Sequence, residues 1–162
     1  MGAIRQKVAD IAEAFGCKVI CYSASGRKYQ LTSDRKQVDF DTILQESDVL
    51  SIHAPLNSQT ENLIDLQALK KMKPTSVLIN VARGPIVNQE DLYTALTQNM
   101  IAGAGLDVLK QEPMAEDNPL IKIQDSKKLL ITPHIAWAPV ETRLRCRDEV
   151  VKNIEAFLAG ED

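Results

Sequence analysis

The sequence predicts an α/β domain built on a doubly wound parallel sheet. Three observations predict it. Short apolar runs alternate with amphipathic helical stretches along the chain, their connections are short, and no repeat or low-complexity linker interrupts them. The most informative run is Val77-Leu78-Ile79-Asn80-Val81, followed by Ala82-Arg83-Gly84-Pro85. It is too short for a helix and lacks alternation, so it reads as a strand covered on both faces. Gly84 and Pro85 end its ladder. Arg83 is therefore held just past the carboxyl end of a buried strand, on the rim where open α/β sheets take ligands.

The remaining elements follow from spacing. Ile4, Val8, Ile11, Ala12 and Phe15 share one helical face that stops at Gly16. Residues 17–22 read as a strand, and residues 23–37 as a polar, turn-like stretch with Gly26 and the basic pair Arg27-Lys28. A short helix over 40–45 starts behind Asp39 or Asp41, and a strand follows over 49–53. After a loop over 54–58 come two short helical pieces within 60–72 and a reset at Pro74. Asn88 is set to cap the next helix, with Asp91 at the capping-box position and Leu92, Ala95 and Leu96 on its inner face. Residues 101–109 form a glycine-broken strand carrying Asp107, and residues 111–118 an acidic, proline-containing loop. One helical turn is expected over 120–123, then a strand over 129–132 running into Pro133-His134. Val140, Leu144, Val151, Ile154 and Leu158 mark one face of a long helix ending at Gly160.

If the last three strands run parallel, Arg83, Asp107, Glu112 and His134 arrive at one rim. Neighbouring strands lie about 4.8 Å apart, so a guanidinium, a carboxylate and an imidazole there make an acid/base centre with an anion clamp. Each residue has an ordinary alternative: a surface arginine, a loop histidine, an acidic loop, a buried aspartate bonded to a backbone amide. The Gly-Pro break beside Arg83 and the Thr132-Pro133 before His134 favour function, whereas Glu112 alone leaves both readings level. His53 also ends a strand and reads as loop lining.

Composition narrows the classes. At 162 residues and 44% hydrophobic content the chain has material for one sizeable core. A net charge of −3 without long charge runs argues against nucleic acid or an anionic membrane as partner. No apolar run is long enough to span a membrane, and the N-terminus lacks a signal-peptide pattern. Cys17, Cys21 and Cys146 have neither disulfide nor metal spacing. The expectation is a cytoplasmic, metal-free protein.

Four ordered motifs resemble the NAD-binding domain of the D-isomer-specific 2-hydroxyacid dehydrogenases. They are Ile52-His53-Ala54-Pro55-Leu56 with Thr60, Leu78-Ile79-Asn80-Val81-Ala82-Arg83-Gly84, Gly105-Leu106-Asp107-Val108 with Glu112-Pro113, and Thr132-Pro133-His134-Ile135-Ala136-Trp137. The last is similar to the glycerate dehydrogenase and hydroxypyruvate reductase branch. The resemblance implies a Rossmann-like domain over residues 1–162 and hydride transfer between NAD or NADP and a small 2-hydroxy or 2-oxo acid, such as glycerate or hydroxypyruvate. It implies Arg83 as substrate clamp, Glu112 as the residue that orients the imidazole, and His134 as acid/base. Asp107 would hold the nicotinamide amide. His53, Ala54, Pro55 and Thr60 would line the cofactor, as would Val81, Ala82 and Ala136, and Gly2 matches the second glycine of the phosphate-binding turn. Beyond the strand at 17–22, where a carboxylate would hold the ribose hydroxyls of NAD, Tyr22-Ser23-Ala24-Ser25 offers no acid and Arg27-Lys28 follow. Ser23 and Arg27 are thus ribose-side candidates, and NAD and NADP both stay open.

Two departures shape the expectation. The family's first strand and first glycine are missing, and Arg5 stands where the third glycine permits close helix–strand packing. The substrate domain is missing as well. The chain therefore reads as a truncated domain, inactive by itself, with a nucleotide-sensing interaction module or an inert fragment as alternatives. In the order 3-2-1-4-5-6 the missing strand lies beside residues 17–22, with 49–53 or, in the family layout, 77–81 across the gap. Two inner edges would be left unpaired. The sheet must then re-pair across the gap, borrow a partner's strand, or be marginally stable, and a homo-oligomer stays open.

Overall fold

The computed structural model describes residues 2–31 and 35–160. Helix α1 (Ala3–Ala14) opens it and stops where Gly16 takes φ +83°. Its buried face is narrower than the spacing suggests, because Ala9 is buried while Ile4, Ile11 and Phe15 stay exposed. Strand β1 keeps only Ile20–Cys21 of the expected 17–22 and pairs in parallel with β2 (Lys36–Gln37). β2 corrects the end of the turn-like stretch: both its side chains are exposed, so it carries no apolar signal. Residues 32–34 of that stretch lie outside the described residues.

Helix α2 (Phe40–Glu46) is capped by Asp39, whose carboxylate accepts the Thr42 amide at 2.7 Å. That decides between Asp39 and Asp41. β3 (Val49–Ile52), α3 (Leu66–Lys71), β4 (Val77–Asn80), α4 (Gln89–Thr97), β5 (Gly103–Leu106) and β6 (Leu129–Ile131) follow. Only the second of the two helical pieces expected within 60–72 forms: Asp65 caps α3, while the first is a turn in which Asn62 takes φ +50°. A 3-10 helix at Gly84–Ile86 leads the chain off β4, and another covers Pro119–Lys122. Asn88 caps α4 as expected, accepting the Asp91 amide at 3.1 Å.

β3, β4, β5 and β6 form one parallel sheet in that order. Ile52 lies opposite Asn80, Asn80 opposite Leu106, and Leu106 opposite Ile131, so all four strands end on one row. Beneath, Leu44 of α2, Leu69 of α3 and Leu92 and Leu96 of α4 are sealed with Leu78 in one apolar cluster. Full burial of such a side chain is worth roughly 1.5–3 kcal/mol, and this cluster holds the rim in place.

The sheet does not re-pair across the gap. β1–β2 and β3–β6 stay separate, with a cleft of about 770 Å³ between them. Residues 16–22 and 46–55 line it without a break, together with Val8, Ala9 and Ala12 of α1. Successive strand residues alternate faces, so a lining that takes each in turn is the strand's edge. The strand across the gap is β3. The alternative at 77–81 fails because β4 already uses both edges, on β3 and β5.

The described chain divides after Thr132 into two compact units. The second holds His134 and α5 (Val140–Ala159), which closes on Gly160 at φ +74°. The expected apolar stripe is present on α5, yet none of its residues is buried.

Candidate functional site

The rim is built one residue beyond the shared row, at His53, Val81, Asp107 and Thr132. Asn80 is fully buried and shapes the exit from β4 with both ends of its amide. Its Oδ1 accepts the Ala82 N–H at 3.0 Å, and its Nδ2 donates to the Arg83 carbonyl at 3.0 Å. Val81 is partly exposed and Ala82 turns into the core. Arg83 is carried outward, its Nη1 donating to its neighbour's carbonyl, Ala82 O, at 2.7 Å.

Gly84 sets how closely the next loop approaches. A Cβ there would lie 2.0 Å from the backbone carbon and oxygen of Leu109. The Leu109 N–H in turn donates to Glu112 Oε1 at 2.8 Å. The segments carrying Arg83 and Glu112 are thus brought together at one glycine contact.

Asp107 is nearly buried, with its N–H on the Asn80 carbonyl at 2.9 Å and its Oδ1 accepting the Thr132 hydroxyl at 2.5 Å. Sequence reasoning missed Asn80 and Thr132 as the residues that fix this rim. A lone amide inside an apolar strand was the available signal for Asn80. His134 follows Pro133 at the start of the second unit, half-buried, at φ +53°. A side chain with a Cβ pays roughly 1–2 kcal/mol in that region. Ala136 is exposed, inside a turn closed by the Ala138 N–H on the Ile135 carbonyl at 2.9 Å.

Of the other predicted residues, His53, Ala54, Pro55 and Thr60 line the cleft beside β1 and β3, whereas Gly2, Ser23 and Arg27 are not in its lining. His53 shares a 2.9 Å hydrogen bond with the Ser51 hydroxyl, and burial, helped by Arg5, lowers its pKa. Ala54, Pro55 and Thr60 belong to the cleft lining. Thr60 fastens the loop: its hydroxyl donates to the Pro55 carbonyl at 2.7 Å and accepts the Asn57 amide at 2.9 Å. Ser23 is buried just past β1, Arg27 is exposed, and Gly2 is the extended residue that starts α1. Arg5 is accommodated by Tyr29, donating to its hydroxyl at 2.7 Å and lying 4.9 Å from its ring centroid.

Among the described residues no group of three or more His, Cys, Asp or Glu side chains is placed to hold a metal ion, and no helix is long and apolar enough to cross a membrane. The cleft of about 770 Å³ runs along the edges of β1 and β3 and is the space between the two sheets, so the fit to a dinucleotide rests on the rim instead, where Asp107, nearly buried and bonded to Thr132, stands at the strand ends.

Four parallel strands ending on one rim, with Asp107 and Thr132 bonded to each other there, define an α/β domain of the kind that takes ligands at its strand ends. Residues 1–136 match the model of the D-isomer specific 2-hydroxyacid dehydrogenase NAD binding domain, and the chain belongs to that family. It is 40% identical to the hydroxypyruvate reductase of Blautia hydrogenotrophica over 159 residues, covering 98% of this chain and 48% of that protein. The NAD-complexed D-isomer specific 2-hydroxyacid dehydrogenase from Lactobacillus delbrueckii ssp. bulgaricus superposes with a TM-score of 0.88 at 32% identity, over 99% of this chain and 52% of the other. An acyclic imino acid reductase in complex with NADPH and D-Arg gives 0.87 at 39% identity, over 99% and 49%. The chain spans about half the length of the relatives it matches.

Proposed function

We propose that this domain serves an enzyme that interconverts a small 2-oxo acid, such as hydroxypyruvate or glyoxylate, and its 2-hydroxy acid, with Arg83, Glu112 and His134 at the reacting carbon. The observation that carries the reading is the left-handed backbone at His134, directly after the strand-ending Thr132-Pro133. Strain of this kind persists where the surroundings hold a residue to a task. The dinucleotide, when bound, supplies or accepts the hydride.

The chain's own groups do the rest. Arg83, exposed at the end of β4, offers a two-pronged donor that matches the substrate carboxylate and polarises the adjoining carbonyl. His134 gives a proton to the carbonyl oxygen as the alcohol forms and takes it back in the reverse direction. Glu112 keeps the imidazole oriented, and Asp107, steadied by Thr132, holds the carboxamide of the cofactor. The free cysteines Cys17, Cys21 and Cys146 support a reducing, cytoplasmic setting, and the net charge of −3 supports a small acid rather than a nucleic acid or membrane as partner.

Steady-state kinetics on the protein that carries this domain test the reading. His134→Ala should lower hydroxypyruvate turnover by about 10²–10⁴-fold while cofactor affinity stays within a few-fold. Arg83→Lys should also lose most of the rate although its charge is kept. Wild-type turnover in either variant would remove that residue from the mechanism.

A further inference from the structure

A second pocket, of about 370 Å³, opens at the start of α4 and shares no lining residue with the cleft. Asn62, Gln89, Glu90, Lys110, Asp117 and Asn118 are among its walls, and none of Arg83, Asp107, Glu112 or His134 is. Its sides are tied down locally. The Asn62 N–H donates to the Pro85 carbonyl at 2.8 Å, and Asn118 caps the 3-10 helix at Pro119–Lys122.

The buried part of this pocket is made of donors. Gln89 is only 8% exposed, and its neighbour fixes which way its side-chain amide points. Asn118 Oδ1 accepts the Leu120 N–H at 3.0 Å, which leaves Asn118 Nδ2 to donate to Gln89 Oε1 at 2.9 Å. Gln89 Nε2 is then a donor that meets no acceptor among the described residues. No sealed side-chain nitrogen or oxygen there lacks a partner, so Nε2 opens into the pocket that Gln89 lines. The backbone N–H groups of Gln89 and Glu90 stand beside it, ahead of the first bond inside α4, because Asn88 caps the Asp91 amide instead. Lys110, exposed, adds a cation. The edge has the opposite sign, since Glu90 and Asp117 bring exposed carboxylates to it. Asp91, the other acid of the first turn, is engaged by the Leu66 N–H at 2.9 Å.

A simple anion would meet these donors but also two carboxylates. A simple cation would meet a helix N-terminus, which carries partial positive charge. A molecule with both charges a few bonds apart satisfies both sets. We propose that this pocket binds a small α-amino acid as its zwitterion. The carboxylate takes Gln89 Nε2, the N–H groups of Gln89 and Glu90, and Lys110, and the ammonium faces Glu90 and Asp117. A volume of about 370 Å³ is at the small end of ligand pockets, which suits an amino acid with a short side chain. The inference is independent of the hydride-transfer reading, because it uses none of the residues placed at the reacting carbon.

NMR titration of the isotope-labelled chain with glycine and with both enantiomers of alanine tests it. The side-chain amide of Gln89 and the backbone amides of Gln89 and Glu90 should shift and saturate. Acetate and methylammonium, with one charge each, should bind at least about tenfold more weakly, since each forgoes half of the charge-assisted contacts. Lys110→Ala and Asp117→Ala should each weaken glycine binding by about tenfold. Both replace exposed side chains, so the variants stay folded for the measurement. No saturable shift at these amides with any of the amino acids, in a chain whose Leu78 and Leu106 signals show it folded, would overturn the inference. Acetate binding as tightly as glycine would overturn it too, leaving a helix end that accepts any anion, and so would unchanged glycine affinity in both variants.

Discussion

Asn80 is the residue on which the candidate site's geometry turns. Its amide makes two hydrogen bonds inside a core where no water replaces them, and both go to the bend that presents Arg83. Asn80→Ala should lower unfolding stability by roughly 1–3 kcal/mol, since the buried Ala82 N–H is left without its acceptor. Urea titration measures this, and an unchanged midpoint would mean that the bend holds itself. Arg83 was legible in the sequence because a Gly-Pro break follows it at a strand end. Asn80 was not singled out, because among the four apolar residues of 77–81 it reads as part of the strand. His53 gives the pH-dependent counterpart. Burial and Arg5 lower its folded pKa below the ordinary 6.5. On acidification the unfolded chain therefore takes up the proton first, so the His53 contribution is intact above about pH 6.5 and is lost as pH falls below it. His53→Gln should flatten the decline in melting temperature over that acid range, and parallel curves for the two proteins would show that other groups cause it.

At the scale of elements, capping and punctuation were legible while the shortest strand was not. Asn88 with Asp91, the stop at Gly16 and the close at Gly160 follow from local chemistry that the surrounding fold only has to tolerate. β2 is two exposed polar residues whose strand conformation comes from pairing with Ile20–Cys21, and pairing leaves no mark on its own composition. The exits of β4 and β5 depend in the same way on a contact far apart in sequence. Gly84 was legible as a breaker, but its closeness to Leu109 was not. Gly84→Ala places a Cβ 2.0 Å from that backbone, so the two loops must separate. The expected loss is at least about 1–3 kcal/mol, with turnover falling further than stability alone explains because the segments bearing Arg83 and Glu112 move apart. Gly103→Ala meets backbone no closer than 3.2 Å and serves as the milder control. Equal melting temperatures for the two variants would refute the close-approach argument.

For the whole molecule, the alternation of runs gave the layered parallel sheet, and the motif order gave the side on which it ends. The division of the described strands into β1–β2 and β3–β6 depends on long-range packing, which no single run of residues records. α2, α3 and α4 seal the core beneath β3–β6, whereas β1–β2 has two residues per strand, with Ile20 only partly buried against that core and Arg35, next to β2, bonded to Asp10 and Glu13 of α1. A lone pair of such short strands is marginal in water, and local stability follows the density of buried contacts. Amides in the β1–β2 pairing, such as Val38 N–H on the Cys21 carbonyl, should therefore exchange through openings far less costly than those of Leu78 or Leu106. The edges of β1 and β3 that line the cleft, among the described residues, pair with no strand. Such edges recruit other strands, so sedimentation should show association that grows with protein concentration, and melting should become concentration-dependent with it. Hydrogen exchange of uniform protection across residues 2–132, in a protein that sediments as a monomer at every concentration, would show instead that the divided sheet is stable as it stands.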